Sequence, residues 1–352
     1  MEYNRLLHRR GDCGSHFSAV DEELGVRPGR DLTPSLVRRV AYGAATHSML
    51  DAAKDLKEYL DVEVSPAEFE RVFIEKGTCL DRVQRAEEQG WRQPVDPLRE
   101  TPAPQWPTER LIVEADATCV LTIQGEEHKS VYCGRVFGAE DRVEKEGSGR
   151  RQIARSLYTG SAVNMEDFGE RLKALTWRAG MRSARGVAFL GDGAPCLWKW
   201  AQENLPPGTL FIQDFWHVDE RLSNLAKDVF GSTWQAHHDR WVEELAGSRV
   251  QAILDELQAL QRQRRGKARD RLTEEIGYLE KGKHRMDYVR YRALGWPIGS
   301  GAVEGTCKHL VKERFCLTGA HWKRANIPQM LALRLAIFNN EWESVWQNAQ
   351  VA

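Results

Sequence analysis

The stretch 187–217 contains two short apolar runs, and each run stops at an acidic residue. Run 187–190 ends before Asp192, run 209–212 ends before Asp214, and a helical pattern connects them. Uninterrupted apolar runs closed by turn residues are typical of strands that are covered on both faces. Ligands of open α/β sheets bind beyond the carboxyl ends of such strands. We therefore expect Asp192 and Asp214 to project into one crevice, although Asp192 is also suited to cap the helix that follows it.

Length and cysteine content set the broad class of the protein. A chain of 352 residues forms one large domain or about two to three ordinary ones. No apolar stretch approaches the roughly 20 residues that cross a bilayer, and no apolar segment follows the basic residues near the N-terminus, so we expect a soluble protein without a signal peptide. The seven cysteines form no C-x-x-C pair. This favours reduced thiols in the cytosol and argues against a zinc site made only of cysteines.

The net charge of −1 conceals an uneven distribution of charge along the chain. Stretch 214–261 has nine acidic and four basic residues, net −5, whereas stretch 262–292 has eleven basic and five acidic residues, net +6. Such runs are most often solvated helix faces. The alternative is that the basic block follows DNA phosphates while an acidic surface holds cations.

Residues 1–93 are polar and show helical spacing, which predicts a small helical domain. Thr33 is placed to cap a helix that begins at Pro34. A second helical pattern covers 47–60, and a capping box at 65–68 starts a third helix. Helix, short turn and helix outline a helix-turn-helix, so contact with DNA is one interpretation of this domain and simple packing is the other.

A proline-rich linker, 94–108, separates this domain from a region of different character, because five prolines fall between positions 94 and 107. After the linker we expect strands at 110–116, 119–124 and 130–137, a continuation of the sheet edge at 150–158, and a helix at 164–179. Three adjacent strands followed by helix, strand, helix and strand is the order of an RNase H-like α/β core, whose first part is predicted at 109–217. A long helical pattern then predicts an all-helical insertion at 218–295.

Carboxylates on separate elements are the defining feature of an RNase H-like core. Period two places Glu114 and Asp116 on one face of the first predicted strand. The C-terminal helical part of the core is predicted at 296–352, with a helix that starts near Ser300 and carries Glu304 in its first turns. The alternative for Glu304 is a favourable interaction with the helix dipole alone.

Four acidic motifs follow one another along the chain. They are Asp116 at the end of the first strand, Asp192 in GDGA, the D-x-x-H of Asp214 and His217, and Glu304 in IGSGAVEGTCKHLVKER. In this order the motifs resemble the bacterial insertion-sequence DDE transposases of the ISKra group, which are relatives of the eukaryotic Mutator-like enzymes. The resemblance extends to 20–45 and 319–342 and so covers nearly the whole chain.

The resemblance implies a DDE transposase, which cleaves DNA at transposon ends and transfers strands into target DNA with the help of metal ions. Asp116, Asp192 and Glu304 would form the catalytic triad and hold two Mg²⁺ ions, for which Mn²⁺ would substitute, in keeping with the preference of hard cations for oxygen ligands. Asp214 and His217 would orient a metal ligand or contact a phosphate near the scissile bond, and a buried, hydrogen-bonded histidine is the alternative.

Further residues are expected to contact DNA. Lys308, Lys312 and Arg314 would bind phosphates from the helix of Glu304. Trp216 and Trp296 have the chemistry to stack on a displaced base, but tryptophan at such positions is more often part of the core, and we expect core.

The resemblance also implies partners and a location. The partner is double-stranded DNA, with at least a dimer of the protein because two ends must be held together, in the bacterial cytoplasm at the nucleoid and away from membranes. Two features depart from the family pattern. Ala117 replaces the usual glycine after the first acid, which makes Glu114 a competing ligand, and only Cys13-Gly14 stands where relatives carry cysteine-rich sequence, so we expect a shortened N-terminus.

Two other functions are compatible with the sequence. The first is a catalytically inactive DNA-binding protein derived from a transposase, which differs from the active enzyme in whether the three acids converge. The second is an unrelated hydrolase with a carboxylate pair, for example on glycosides, which requires two carboxyl groups across a sugar-sized cleft.

Overall fold

The structure, a computed structural model, describes residues 8–9, 16–17, 23, 32–92, 104–105, 108–144 and 151–347. The predictions for Cys13-Gly14, for most of the first 31 residues and for most of the linker 94–108 lie outside the described residues. No described helix has both the length and the apolar composition needed to cross a membrane.

The described chain forms a mixture of helices and strands. The strands are β1 (Arg110–Val120), β2 (Lys129–Gly138), β3 (Arg142–Glu144), β4 (Arg151–Ile153), β5 (Leu157–Ser161), β6 (Gly186–Gly191) and β7 (Leu210–Gln213), with a further two-residue pairing of His8–Arg9 and His16–Phe17. The helices are α1 (Pro34–Thr46), α2 (Met49–Leu60), α3 (Pro66–Arg92), α4 (Met165–Arg178), α5 (Pro195–Asn204), α6 (Phe215–Phe230), α7 (Trp234–Ala246), α8 (Val250–Gln263), α9 (Gly266–Gly282), α10 (Tyr288–Ala293), α11 (Gly301–Thr306), α12 (Glu313–Phe315), α13 (Ile327–Phe338) and α14 (Trp342–Gln347). A π-helix, Cys307–Lys312, follows α11, and single 3-10 turns lie at Ala139–Asp141, Gly231–Thr233, Lys283–Arg285 and Arg324–Asn326.

Two compact units divide the chain. A helical unit lies within Met1–Ala86, Leu121–Glu127 and Glu313–Ala352, and a sheet unit lies within Glu87–Val120 and His128–Lys312. The predicted C-terminal part of the core, 296–352, is therefore divided, because its last helices pack in the helical unit.

A five-stranded mixed sheet organises the sheet unit. Its strand order is β5-β2-β1-β6-β7, in which β2 runs antiparallel to its neighbours β1 and β5, while β1, β6 and β7 are parallel. The fold is thus of the mixed α/β class, as the sequence predicted. The two apolar runs of the opening stretch form β6 and β7, and the predicted helix between them is α5.

The predictions for the other strands were partly wrong. β1 does not stop at Asp116, because its antiparallel ladder with β2 continues to the pair Val120 and Lys129. The predicted strand 119–124 is therefore not a separate element. The predicted edge 150–158 is divided as well, since β4 pairs only with β3 and the sheet edge is β5.

Helices cover both faces of the sheet, as expected for continuous apolar strands. Leu111, Val113 and Phe189 pack on one side with side chains of α4 and α5. Ile112, Leu190 and other residues of the opposite side pack with α6 to α10. Stretch 218–295 is helical, as predicted, and the helices α6 to α10 supply one half of the hydrophobic core of the sheet unit. That they form an insertion in an RNase H-like core stays a prediction.

Local capping explains where the first helices begin. At the start of α1 the Thr33 hydroxyl accepts the N–H of Leu36 at 3.4 Å, and at the start of α2 the Ser48 hydroxyl accepts that of Asp51 at 3.1 Å. At the start of α3 the Ser65 hydroxyl accepts the N–H of Glu68 at 3.2 Å. Serine and threonine hydroxyls at these positions satisfy N–H groups that have no partner inside a helix. The predicted start at Thr33 and Pro34 is confirmed, and contact of this helix, turn and helix with DNA stays a prediction.

Two buried arginines close the C-terminal end of α1. Arg314 Nε donates to the main-chain oxygen of Ala44 at 2.7 Å, and Arg334 donates to that of Ala45. Carbonyl groups in the last turn of a helix lack intrahelical donors. Arg314 is only 3% exposed, and burial lowers its pKa to about 10. The predicted contact of Arg314 with DNA phosphates is therefore wrong, because its guanidinium is used inside the helical unit.

α3 and α13 pack closely at Gly77, where a β-carbon would collide with the main-chain carbonyl group of Gln329. Gly77→Ala should lower the free energy of unfolding by about 1–3 kcal/mol, because the backbone of one helix has to move. Gly90 lies in the same helix with open space beside it. Gly90→Ala should therefore change stability in the opposite direction, by up to about 1 kcal/mol. Chemical denaturation of both variants measures the difference, and equal effects would contradict this packing.

Candidate active site

A cavity of about 520 Å³ opens in the sheet unit where β6 ends and α11 begins, and we call it the acidic cavity. Its lining includes Asp116, Asp192 and Glu304, which come from three elements that are far apart in the chain. Asp214 does not line it, so the predicted common crevice for Asp192 and Asp214 is wrong for the second acid. The structure brings together the three acids that the resemblance singles out.

Asp116 lies in the middle of β1 and is half-buried. Its Oδ1 accepts the N–H of Ala117 at 2.7 Å. Burial raises the pKa of Asp116, and the negative charge of Asp192 raises it further. The charge of Asp192 therefore acts on Asp116 across the cavity.

Asp192 stands in a tight turn after β6. The next residue, Gly193, has φ of +116°, and a β-carbon there would lie 2.9 Å from the ring of Tyr278, so both conformation and space require glycine. The Oδ1 of Asp192 accepts the N–H of Ala194 at 3.1 Å. Asp192 thus stabilises the turn before α5 and lines the acidic cavity. The alternative that it caps α5 is wrong, because the N-cap of this helix is Ala194 and no side chain caps it.

Glu304 lies in the first turn of α11 with its side chain exposed. Partial burial raises its pKa, and the nearby charges of Asp214 and Asp116 add to this effect, whereas His217 opposes it. Carboxylates that raise one another's pKa values form a region of negative potential. A cation is the partner that such a region favours.

Two buried carboxylates hold α11 in place. Asp214 accepts both the N–H and the hydroxyl hydrogen of Ser300 with Oδ2, and it accepts the N–H of His217 with Oδ1 at 2.8 Å. Glu114 accepts the N–H of Val303 with Oε2 at 2.9 Å. N–H groups in the first turn of a helix need such acceptors. The position of Glu304 therefore depends on two acids that do not line the acidic cavity.

His217 lines the acidic cavity, and Glu220, one helical turn later on α6, lines it as well. Glu220 is exposed and was not singled out from the sequence. Its position three residues after His217 is the spacing that places two side chains on one helix face. This spacing is the signal that identifies Glu220.

Lys308 and Lys312 lie on the π-helix that continues α11, and both are exposed at the acidic cavity. Isolated π-turns are frequent at functional sites because they change which side chains share a face. The cavity is thus acidic at its centre with cations at one side. This arrangement suits a ligand that is anionic but also coordinates metal.

Tyr278, on α9, supports the turn of Asp192. Its hydroxyl donates to the main-chain oxygen of Asp192 at 3.0 Å and accepts the amide hydrogen of Gln213 at 2.6 Å. Arg221 lies 4.1 Å from the centre of the Tyr278 ring. The sequence predicted only a long helix here, because helical periodicity does not identify the side chain that reaches another element.

A second cavity of about 520 Å³ adjoins the first and contains Glu114 and Trp216. Glu114 is fully buried and lines this second cavity, so in this structure it does not compete with Asp116 for a place in the acidic cavity. Trp216 is 62% exposed, so its expected place in the core is wrong, because Phe215 instead points inward from the start of α6. The expectation for Trp296 is confirmed, since it is 8% exposed.

The donor set of the acidic cavity fits a hard divalent cation, because it offers carboxylate oxygens. Over the described part of the chain, however, no group of three or more His, Cys, Asp or Glu side chains is close enough together to hold a metal ion. None of the six described cysteines forms a disulfide. The acids therefore share a cavity without already forming a coordination cage.

Comparison of the chain with models of known protein families, and with curated protein sequences, finds no match.

Glu114 provides a test of the buried network. Burial raises its pKa to about 8, although Arg135 opposes the shift. The protonated form is favoured in the folded state, so the stability that Glu114 contributes is present below its usual pKa of 4.5 and is lost as the pH rises toward 8. Relative to the wild type, Glu114→Gln should gain up to about 1.4 kcal/mol in unfolding free energy per pH unit over this interval. Urea denaturation at several pH values measures this gain, and a difference that is constant with pH would contradict the assignment.

Proposed function

We propose that this protein is a DDE transposase, which cleaves DNA at transposon ends and transfers the strands into target DNA with the help of metal ions. The observation that carries the proposal is that Asp116, Asp192 and Glu304 line one cavity although they lie on β1, after β6 and on α11. Carboxylates from three distant elements at one opening repel one another, and a bound cation would offset this repulsion.

The sheet supports an RNase H-like core. The strands β1, β2 and β5 precede α4 and lie side by side, with β2 antiparallel to both neighbours. The strands β6 and β7 each follow a helix and extend the sheet parallel to β1. This is the element order that the RNase H-like interpretation of the sequence requires. It brings the end of β6 next to the middle of β1, and β7 pairs with the other side of β6.

In this proposal the three acids hold two Mg²⁺ ions, with Mn²⁺ as a substitute. Mg²⁺ bound there supplies the activation of a water or 3′-hydroxyl nucleophile and the neutralisation of charge that phosphodiester transfer requires. Burial raises the pKa values of Asp116 and Glu304, and neighbouring carboxylates add to the shift in each case. A bound cation would offset that repulsion, which supports the assignment.

The other residues of the acidic cavity bind and orient the DNA. Lys308 and Lys312 bind phosphates as point charges, and His217 contacts a phosphate or orients Glu304. Asp214 acts through Ser300 and His217 and fixes the start of α11. The helical unit is assigned to DNA binding, and a dimer or larger assembly holds two transposon ends together.

Replacement of Asp192 tests the chemistry. Asp192→Asn should reduce Mg²⁺-dependent cleavage of duplexes that carry the DNA flanking the gene by about 1,000-fold or more, because a cation ligand is lost. Glu304→Gln should do the same. Binding of the same duplexes in Ca²⁺, measured by fluorescence anisotropy, should be retained in both variants.

The matched control is Glu203→Gln, which neutralises an exposed carboxylate of α5 outside the acidic cavity and should leave cleavage unchanged. If the wild type binds these duplexes but cuts none of them with Mg²⁺ or Mn²⁺, the alternative of an inactive DNA-binding protein is supported instead.

Tyr278→Phe tests how the insertion contributes to the site. Loss of the hydroxyl removes the hydrogen bond to the turn of Asp192, so the Mg²⁺ concentration for half-maximal cleavage should rise by about 10-fold, with a smaller change in maximal rate. Mn²⁺ should restore part of the loss.

Tyr291 offers a control of the same kind, because its hydroxyl donates to the main-chain oxygen of Phe211 at 3.3 Å on the neighbouring strand. Tyr291→Phe should leave the Mg²⁺ dependence unchanged. Equal shifts in both variants would mean that the tyrosines act only through overall stability.

A further inference from the structure

The turn between α8 and α9 concentrates positive charge at one end of the insertion. Stretch 262–270 contains five cations and one acid, Asp270. The five cations are all exposed. We call them the cationic tip, and they are Arg262, Arg264, Arg265, Lys267 and Arg269.

Ion pairing separates the cationic tip from other arginines of the insertion. Arg240 pairs with Glu256, and Arg249 pairs with Glu244 at 2.5 Å. Across the described residues, by contrast, no side chain of the cationic tip has a carboxylate partner. The positive charge of the tip is therefore available to an anion from outside the protein.

α9 connects the cationic tip with the acidic cavity. The helix begins at Gly266, and Tyr278, which contacts the turn of Asp192, lies twelve residues later. At about 1.5 Å per residue these twelve residues span about 18 Å. One strand of a DNA duplex advances about 3.4 Å per phosphate, so the same length corresponds to about five base pairs.

We propose that the cationic tip binds the phosphate backbone of duplex DNA at about five base pairs from the scissile phosphate. This inference rests on the proposed function, because it takes duplex DNA as the ligand and Asp192 as part of the cleavage site. Contacts between cations and phosphates carry no base information. The tip therefore sets the position of the duplex along the protein and leaves sequence selection to other residues.

The test compares two variants that each remove two exposed positive charges from the insertion. The tip variant is Arg264→Gln with Arg265→Gln, and the control is Arg240→Gln with Arg249→Gln. The probe is a fluorescein-labelled duplex of about 30 random base pairs, which is about 100 Å long. Its binding is measured in Ca²⁺ over a range of salt concentrations. Circular dichroism checks that both variants fold.

For the tip variant, the slope of log K against log salt concentration should become shallower by about 1.8, since each lost phosphate contact contributes about 0.9. The control variant should keep the slope of the wild type. A second measurement uses the duplexes that carry the DNA flanking the gene, with single phosphates ethylated. Ethylation at about five base pairs from the cleaved phosphate should weaken binding of the wild type and have no effect on the tip variant.

The outcomes separate this inference from the proposed function. Equal salt slopes for the tip variant and the control variant would overturn the inference and leave the proposed catalysis intact. Binding to vesicles of phosphatidylglycerol is measured as well, and a tip variant that loses only vesicle binding, with DNA binding unchanged, would overturn the inference in the same way. A reduced slope together with an absence of cleavage by the wild type would support the tip and contradict the catalytic proposal. A wild type that binds no duplex would contradict both.

Discussion

One buried carboxylate, Asp214, connects the elements around the acidic cavity. It has no exposed surface, and its two oxygens accept hydrogen bonds from His217 at the start of α6 and from Ser300 at the start of α11. A buried carboxylate that loses its hydrogen-bond donors costs roughly 1–3 kcal/mol or more, so the N–H and hydroxyl groups that donate to Asp214 are held in place. Because His217 and Glu304 both lie within one turn of these contacts, the shape of the acidic cavity depends on Asp214.

The regular elements near the site were predicted from the sequence better than the contacts between them. Runs 187–190 and 209–212 form strands, and the helix between them is present, because local hydrophobic pattern and turn residues determine such elements. The three acids could also be selected, since motif order indicated them. The role of Asp214 as a brace for Ser300 and the contact of Tyr278 with Asp192 could not, because each joins residues that are far apart in the chain.

The two wrong predictions of side-chain burial have a common physical origin. Arg314 was expected at the surface and is buried, whereas Trp216 was expected in the core and is exposed. Composition gives the usual preference of a residue type, but burial depends on which distant elements cover it. For Arg314 the decisive contact is the end of α1, more than half the chain away, and arginine tolerates burial there because carbonyl oxygens accept its hydrogen bonds.

Helices α6 to α10 lie between β7 and α11 in the sequence, and they cover one face of the sheet. Residues such as Ile112 and Leu190 pack against them, so a chain without these helices would expose an apolar sheet face to water. An exposed face of this kind promotes aggregation. These helices are therefore part of the hydrophobic core of the sheet unit and cannot be removed without exposing it. Divergence among descendants of this chain should be concentrated at its outer turns, such as the one between α8 and α9, where changes in loop length have little effect on folding.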